Sequence, residues 1–367
     1  MALGAPDRVP VMCQMSIGHM LVRLKASPVE FWFDKDVFLE GLLRLRADYG
    51  FDGILVSLHG HREDWRKDVI EWRREGAEEY VRWKDGSETF FPRDDLPRHR
   101  PVKEPLLPSI AGFDPSRLPD RIGHIPVSQG LSFALDPDRP FAIFSELQAK
   151  TGEPFSIHGE VTSPLDYFLD LFGFAGGFLA LAEEPERSKA VLDRFADGIA
   201  ALAGDQASLG LDAVKISSPY AGAGFISPRH YREFVLPYEG RIAAAVRSQG
   251  VFVYTHTCGA IGDRLDLLAE TGVSGLECLD PPPLGTVDLA EAKRRLSGRL
   301  FIKGNIDPVN TLLRGTRVHV EADARQRLAV GGAGGGYILS TACSIAPHTP
   351  AENVRCLAAL AETAKTA

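Results

Sequence analysis

Phe252-Val-Tyr-Thr-His-Thr-Cys-Gly259 is a short apolar run that ends in an imidazole, a thiol and a glycine. In an extended segment residues i and i+2 point to the same side. His256 and Cys258 can therefore grip one ion from a single strand end. Cys343 closes a second apolar run, Tyr337-Ile-Leu-Ser-Thr-Ala-Cys343, and is the expected third ligand. One imidazole and two thiolates with a fourth position left open describe a catalytic zinc site, and soft sulfur favours zinc over magnesium or calcium. The bland alternative is that the cysteines are buried free thiols and His256 a core histidine. Spacing alone does not separate the two readings.

Working outward, apolar runs of strand length begin near residues 9, 53, 154, 213, 252, 275, 300 and 337. Helical patterns lie between most of them. Ser27-Pro28 reads as an N-cap with proline at the first helical position, opening a helix to Tyr49 that Gly50 stops. Ser227-Pro228 starts a helix that Pro237 interrupts. Thr349-Pro-Ala-Glu352 reads as a capping box before the last helix. Alternating β and α implies a parallel sheet. Eight such units over residues 1–367 predict a single α/β domain, a (β/α)8 TIM barrel, whose working residues sit where strands end. Residues 62–153 are expected to be a long insertion between strands 2 and 3, acting as cover or lid. Inside it, a hairpin is predicted to turn at Asp85-Gly86 and to be dispensable for folding. Its aromatic residues (Trp65, Trp72, Tyr80, Trp83, Phe90) are expected to pack a small core of their own.

The 367 residues carry a net charge of -8, with 44% apolar and 25% charged residues. That is the balance of a globular chain, and it offers no field for nucleic acid or an anionic membrane. No run approaches the ~20 apolar residues of a membrane span. The start of the chain has no apolar signal core. Five cysteines make no disulfide framework. A reducing, cytoplasmic setting is the expectation, where Cys and His together mean metal or catalysis more often than cross-links.

Other polar residues also fall at predicted strand ends. Glu160, His59 and Tyr167 are candidate catalytic groups, and His61, Ser218, Asn305 and Asp307 candidate substrate contacts. Asn305 and Asp307 precede Pro308 and can equally shape a turn. Cys278 lies at a strand end in the wrong phase, so it is expected to pack, as are Cys13 and Cys356.

The set His256-Thr-Cys-Gly259, Leu300-Phe-Ile-Lys-Gly-Asn-Ile-Asp-Pro308 with Gly315-Thr316, Tyr337-Ile-Leu-Ser-x-x-Cys343 with Thr349-Pro-x-Glu-Asn353, and Ile226-Ser-Pro-x-x-Tyr-x-x-Phe-Val-Leu-Pro-Tyr238 resembles the uroporphyrinogen decarboxylase superfamily. The resemblance covers about the C-terminal half and implies a (β/α)8 barrel. That superfamily holds decarboxylases and corrinoid-linked methyltransferases. The decarboxylases carry an Arg-Gln-Ala-Gly-Arg segment after the first strand; here the stretch is Cys13-Gln-Met-Ser-Ile-Gly-His19 and lacks both arginines, hence their bidentate carboxylate clamps. The decarboxylase aspartate falls on His59 and its last-strand histidine on Cys343; its tyrosine is matched by Tyr167. The methyltransferase branch carries His-x-Cys and a distant Cys as zinc ligands, matched by His256, Cys258 and Cys343.

The resemblance therefore implies a zinc-dependent methyltransferase that moves a methyl group between a small methylated substrate (ether, amine or thiol) and a corrinoid. No Asp-x-His-x-x-Gly corrinoid motif occurs in the chain, so the corrinoid is expected on a separate partner protein. The resemblance also suggests a homodimer. The competing reading is a metal-free decarboxylase acting on a carboxylated substrate.

Overall fold

Seven parallel strands carry the molecule: β1 (Gly53–Val56), β2 (Ser156–Thr162), β3 (Ala213–Ser217), β4 (Phe252–Thr257), β5 (Gly275–Cys278), β6 (Phe301–Ile306) and β7 (Tyr337–Thr341), hydrogen-bonded in that order. The computed structural model describes residues 1–4, 6–150 and 155–364. The strands are almost wholly buried along their length. A parallel sheet covered by helices on its outer face demands this, and it explains why these segments read as continuous apolar runs rather than alternating ones.

The order of elements follows the sequence expectation, with differences that have local causes. The first expected strand, Val9 to Met15, is not one. It makes isolated parallel bridges to β7, Val11 with Leu339, and to Ile345 from Met15, while the Val11 carbonyl accepts from the Asp52 amide just before β1. Pro10 has no N–H to give to a ladder, and only alternate residues pair. The predicted helix from Pro28 to Tyr49 is two helices, Pro28–Phe33 and Lys35–Tyr49, broken at Asp34, whose carboxylate caps the second. Thr349 does not close a capping box: the last helix, Ala351–Thr363, has Pro350 at its N-cap and no side-chain cap bond. Helices not foreseen include Ile17–Leu24 and the pair Pro164–Phe172 and Phe174–Glu183, which meet at a 110° bend. Gly173 at the bend has φ +72°, a conformation that favours glycine. Among the described residues no single helix is long and apolar enough to cross a membrane.

Between β1 and β2 the chain builds a four-stranded antiparallel sheet (Val69–Glu75, Glu78–Trp83, Glu88–Phe91, Arg98–Arg100) and a hairpin (His124–Ser128, Leu131–Ala134). The turn at Asp85-Gly86 forms as predicted, with Gly86 at φ +86°. The idea that this hairpin is dispensable is corrected. Its strands are the two inner ones of the sheet, and Val81 and Phe91 are fully buried in the main core. Buried Glu79 accepts from the Ser27 hydroxyl at 2.6 Å and the Val29 amide at 3.0 Å and pairs with Arg74. Removing it would leave the start of the Pro28–Phe33 helix without its partner.

Candidate metal centre

The sulfur cluster is built at the C-terminal ends of β4, β5 and β7. His256 is the fifth residue of β4, and its parallel partner on β5 is Glu277. Registered neighbours share a face, so the imidazole and carboxylate meet: His256 Nδ1 lies 2.8 Å from Glu277 Oε2. This keeps a proton on Nδ1 and turns Nε2, the nitrogen free to bind a metal, towards the sulfurs. Nε2 stands 3.2 Å from Cys258 Sγ, and Cys258 Sγ stands 3.8 Å from Cys343 Sγ. Zinc bonded to sulfur at about 2.3 Å and to nitrogen at about 2.0–2.1 Å in tetrahedral geometry requires about 3.8 Å between two sulfurs and about 3.5 Å between nitrogen and sulfur. The His256–Cys258 and Cys258–Cys343 separations fit these within a few tenths of an ångström. A carboxylate behind a ligating histidine is the usual outer partner of a zinc site.

Cys278 belongs to this group. Its sulfur, that of Cys258 and a ring nitrogen of His256 all lie within 4.8 Å of one another; Cys343 is not in that trio and joins it 3.8 Å from Cys258 Sγ. The phase objection assumed regular β geometry at position 278. Cys278 instead has φ +85° and Leu279 φ +56°, so strand alternation ends there and the thiol swings to the cluster. Cys278 Sγ is 3.2 Å from Asp280 Oδ2, which also accepts from the Gly259 amide at 2.6 Å. Burial pushes the Cys278 thiol up to about 12. The Cys343 thiol is also held well up, by its contact with Cys258 and by burial. Burial presses the His256 imidazole down, but the Cys258 and Cys343 sulfurs and Glu277 outweigh it and hold it well above its ordinary value. In the metal-free protein this site holds protons that a metal must displace.

One layer beneath runs a belt of buried charge. Lys303 pairs with Glu277 Oε1, and Lys215 Nζ lies 3.6 Å from Glu277 Oε2, 3.3 Å from Glu160 and 2.8 Å from Gln14 Oε1. Burial pushes the Glu277 carboxyl up, but the two ammonium groups outweigh it and hold it well below the usual range.

The remaining expected site residues are placed as follows. Glu160 is in this belt on β2, paired with Lys215. Ser218 is buried just after β3, its amide bonded to the His256 carbonyl. Asn305 bonds the Leu279 carbonyl at 2.8 Å and takes a bond from Arg327, and Asp307 caps the turn of helix at Pro308–Leu313. His59 is enclosed: Nδ1 faces the Pro140 carbonyl at 2.9 Å and Nε2 the Gln206 amide at 3.0 Å. His61 is buried against Phe38 and Phe133 with neither ring nitrogen bonded. Tyr167 donates to the His124 carbonyl at 2.6 Å, holding the hairpin of the inserted segment. None of these last three is among the cluster's bonded partners. Cys13 and Cys356 are buried packing thiols, as expected. A cavity of about 650 Å³ lies between the Pro28–Phe33 helix and the segment joining β1 to β2, lined by Trp32, Phe33, Trp65, Trp83, Phe91 and Phe133. Trp65 and Trp83 thus both pack and line a pocket.

Sequence reasoning missed Glu277, Lys215 and Lys303, although each is an ionisable residue inside an apolar run. It also missed two buried acids near the strand ends. Burial pushes Asp166 up to about 8, and Glu239, beside Ser218, Tyr231 and Thr255, up to about 7. Four buried histidines shift the other way for the same reason, His19 and His59 to about 4, His61 and His158 to about 3.

The signs predict a stability optimum. Below pH 6.5 the unfolded chain takes up protons that the four buried imidazoles refuse until about pH 4 to 3, so stability falls with pH. Over the same window Asp166 and Glu239 are protonated in the fold but not in the unfolded chain, and they return part of it. Above pH 6.5 these four imidazoles stop contributing, and ionising the two acids makes stability fall as pH rises to about 8, in the same direction as the raised His256. The net acid slope is two groups, about 3 kcal/mol per pH unit. Urea midpoints measured from pH 4.5 to 8.5 should peak near 6.5; a flat profile would contradict it.

The fold and this cluster describe a parallel α/β protein whose strand ends gather a His/Cys group that could hold a metal ion. Residues 141–364 match the uroporphyrinogen decarboxylase (URO-D) family, and the chain belongs to it. Among curated proteins it is 29% identical over 213 residues to the methylcobamide:CoM methyltransferase MtaA of Methanosarcina barkeri, covering 58% of this chain and 60% of that one. It is 30% identical over 233 residues to the uroporphyrinogen decarboxylase of Gloeobacter violaceus, covering 60% and 64%. The chain thus matches under two thirds of the length of either. A solved methyltransferase from Methanosarcina mazei superposes with a TM-score of 0.70 at 20% identity, over 98% of this chain and 94% of that one, and so shares the fold.

Proposed function

We propose that this chain is a zinc-dependent methyltransferase that moves a methyl group between a small methylated ether, amine or thiol and a corrinoid on a separate protein. The observation that carries the reading is the cluster itself: Cys258 Sγ stands 3.2 Å from His256 Nε2 and 3.8 Å from Cys343 Sγ, with Glu277 behind the imidazole. The methyltransferase relatives support it. The Val9 to Met15 segment fills the eighth place of a (β/α)8 barrel spanning residues 1–367, with 62–153 inserted, in a cytoplasmic homodimer.

His256, Cys258 and Cys343 would hold the zinc, which when bound acts as a Lewis acid on the heteroatom that carries or receives the methyl group. The protein's own residues prepare that place. Glu277 keeps the imidazole in its ligating tautomer. Lys215 and Lys303 keep Glu277 ionised, so its acceptor is always present. Glu160 balances the second ammonium, so the belt beneath the site carries no net charge. Glu160, Ser218 and the acid Asp166 are the groups offered to substrate; His59, His61 and Tyr167 act, in this reading, through the cover segment.

The decarboxylase relatives favour a second reading, a metal-free carboxy-lyase. Two measurements decide between them. Purified protein should contain about one zinc per chain, and with a thiol acceptor it should demethylate methylcobalamin, seen as a change in the visible spectrum. Protein without zinc that releases carbon dioxide from a carboxylated tetrapyrrole, indifferent to chelator, would replace the first reading with the second.

A further inference from the structure

We propose that Cys278 is a fourth protein ligand, so that the substrate-free zinc site is closed by one imidazole and three sulfurs. This rests on the proposed function and alters it in one respect: in the resting protein no coordination position is open.

Three observations converge on it. Cys278 lies within 4.8 Å of both His256 and Cys258 donor atoms, closer company than a packing thiol needs. At this strand end two successive non-glycine residues, Cys278 and Leu279, take positive φ. Such conformations persist where surroundings over-determine them and gather at functional sites. The surroundings here do hold it: Asn305 Nδ2 donates to the Leu279 carbonyl at 2.8 Å, and Asp280 ties Gly259 of β4's end to Cys278 of β5's end. Asn305 and Asp280 are therefore positioning residues for this thiol. One histidine and three cysteines form a complete tetrahedral zinc set. A substrate atom must then enter as a fifth ligand or take the place of one sulfur.

X-ray absorption on the zinc-loaded full chain counts the ligands without any variant. Three sulfurs and one nitrogen at the metal are expected; two sulfurs with two lighter atoms overturn the proposal while leaving the methyltransferase reading in place. Cobalt(II) in place of zinc gives a second readout. Sulfur-to-cobalt absorption should fall by about one third in Cys278→Ser, three thiolates becoming two, and an unchanged band counts against Cys278. Protein that takes up neither metal sinks this inference and the proposed function together.

Discussion

Serine in place of Cys258 should strip the centre of its metal and abolish methyl transfer. Cys258 is the hub of the cluster: its sulfur is 3.2 Å from His256 Nε2, 3.8 Å from Cys343 Sγ, and grouped with Cys278. A serine hydroxyl is a hard, un-ionised oxygen that does not replace a thiolate on zinc. Structural zinc binding is worth about 10–16 kcal/mol, so each of three or four donors carries about 3–4 kcal/mol, a factor of roughly 10² to 10³ in affinity. Cys258 is half-buried at a loop start, so the change removes little packing. The expected result is zinc lost to a competing chelator at least a hundredfold more readily, with a metal-free melting temperature like that of the parent. A variant that keeps zinc at parental affinity would remove the basis of the functional reading.

Much of this was legible in the chain, and the parts that were not share a cause. Seven of eight expected strands form because each is a long apolar run bounded by turn residues, and burial on both faces of a parallel sheet writes that signal directly. The eighth makes only isolated bridges, Val11 to Leu339 and Met15 to Ile345, and does not run as a continuous strand. That His256, Cys258 and Cys343 come together was legible because two of them share one strand face and the third ends a similar run. Cys278 was misjudged because phase arguments hold only while φ stays negative, and nothing in Gly275-Leu-Glu-Cys-Leu-Asp280 announces the left-handed turn at residues 278 and 279. Glu277, Lys215 and Lys303 could have been found. A charged residue inside an apolar strand must meet an opposite charge, and three such residues on β3, β5 and β6 have to find one another across the sheet. His59 and Tyr167 read as mouth residues because strand and helix starts do lie there. Their bonds go instead to Pro140, Gln206 and His124, two of which belong to the segment joining β1 to β2, whose path no local pattern specifies.

Glu277→Gln should damage both stability and metal binding, and the two effects can be separated. The carboxylate accepts from His256 Nδ1 and faces both Lys303 and Lys215, all of them buried. An amide of the same shape leaves two buried ammonium groups with Glu160 as their only carboxylate in the belt. Removing one member of a buried ion pair typically costs about 3–5 kcal/mol, so the metal-free protein should melt clearly lower than its parent. Zinc affinity should drop by about 10- to 100-fold, the usual effect of losing an outer partner of a ligating histidine. Adding Lys303→Met to Glu277→Gln removes the stranded cation as well. That double variant should recover part of the melting temperature, because charge and countercharge leave together, but none of the zinc affinity, because His256 still lacks its acceptor. The coupling between the two sites, read from the full cycle of single and double variants, thus assigns Lys303 to the fold and Glu277 to both. Parental zinc affinity in Glu277→Gln would show that the imidazole does not need this carboxylate to present Nε2 to a metal.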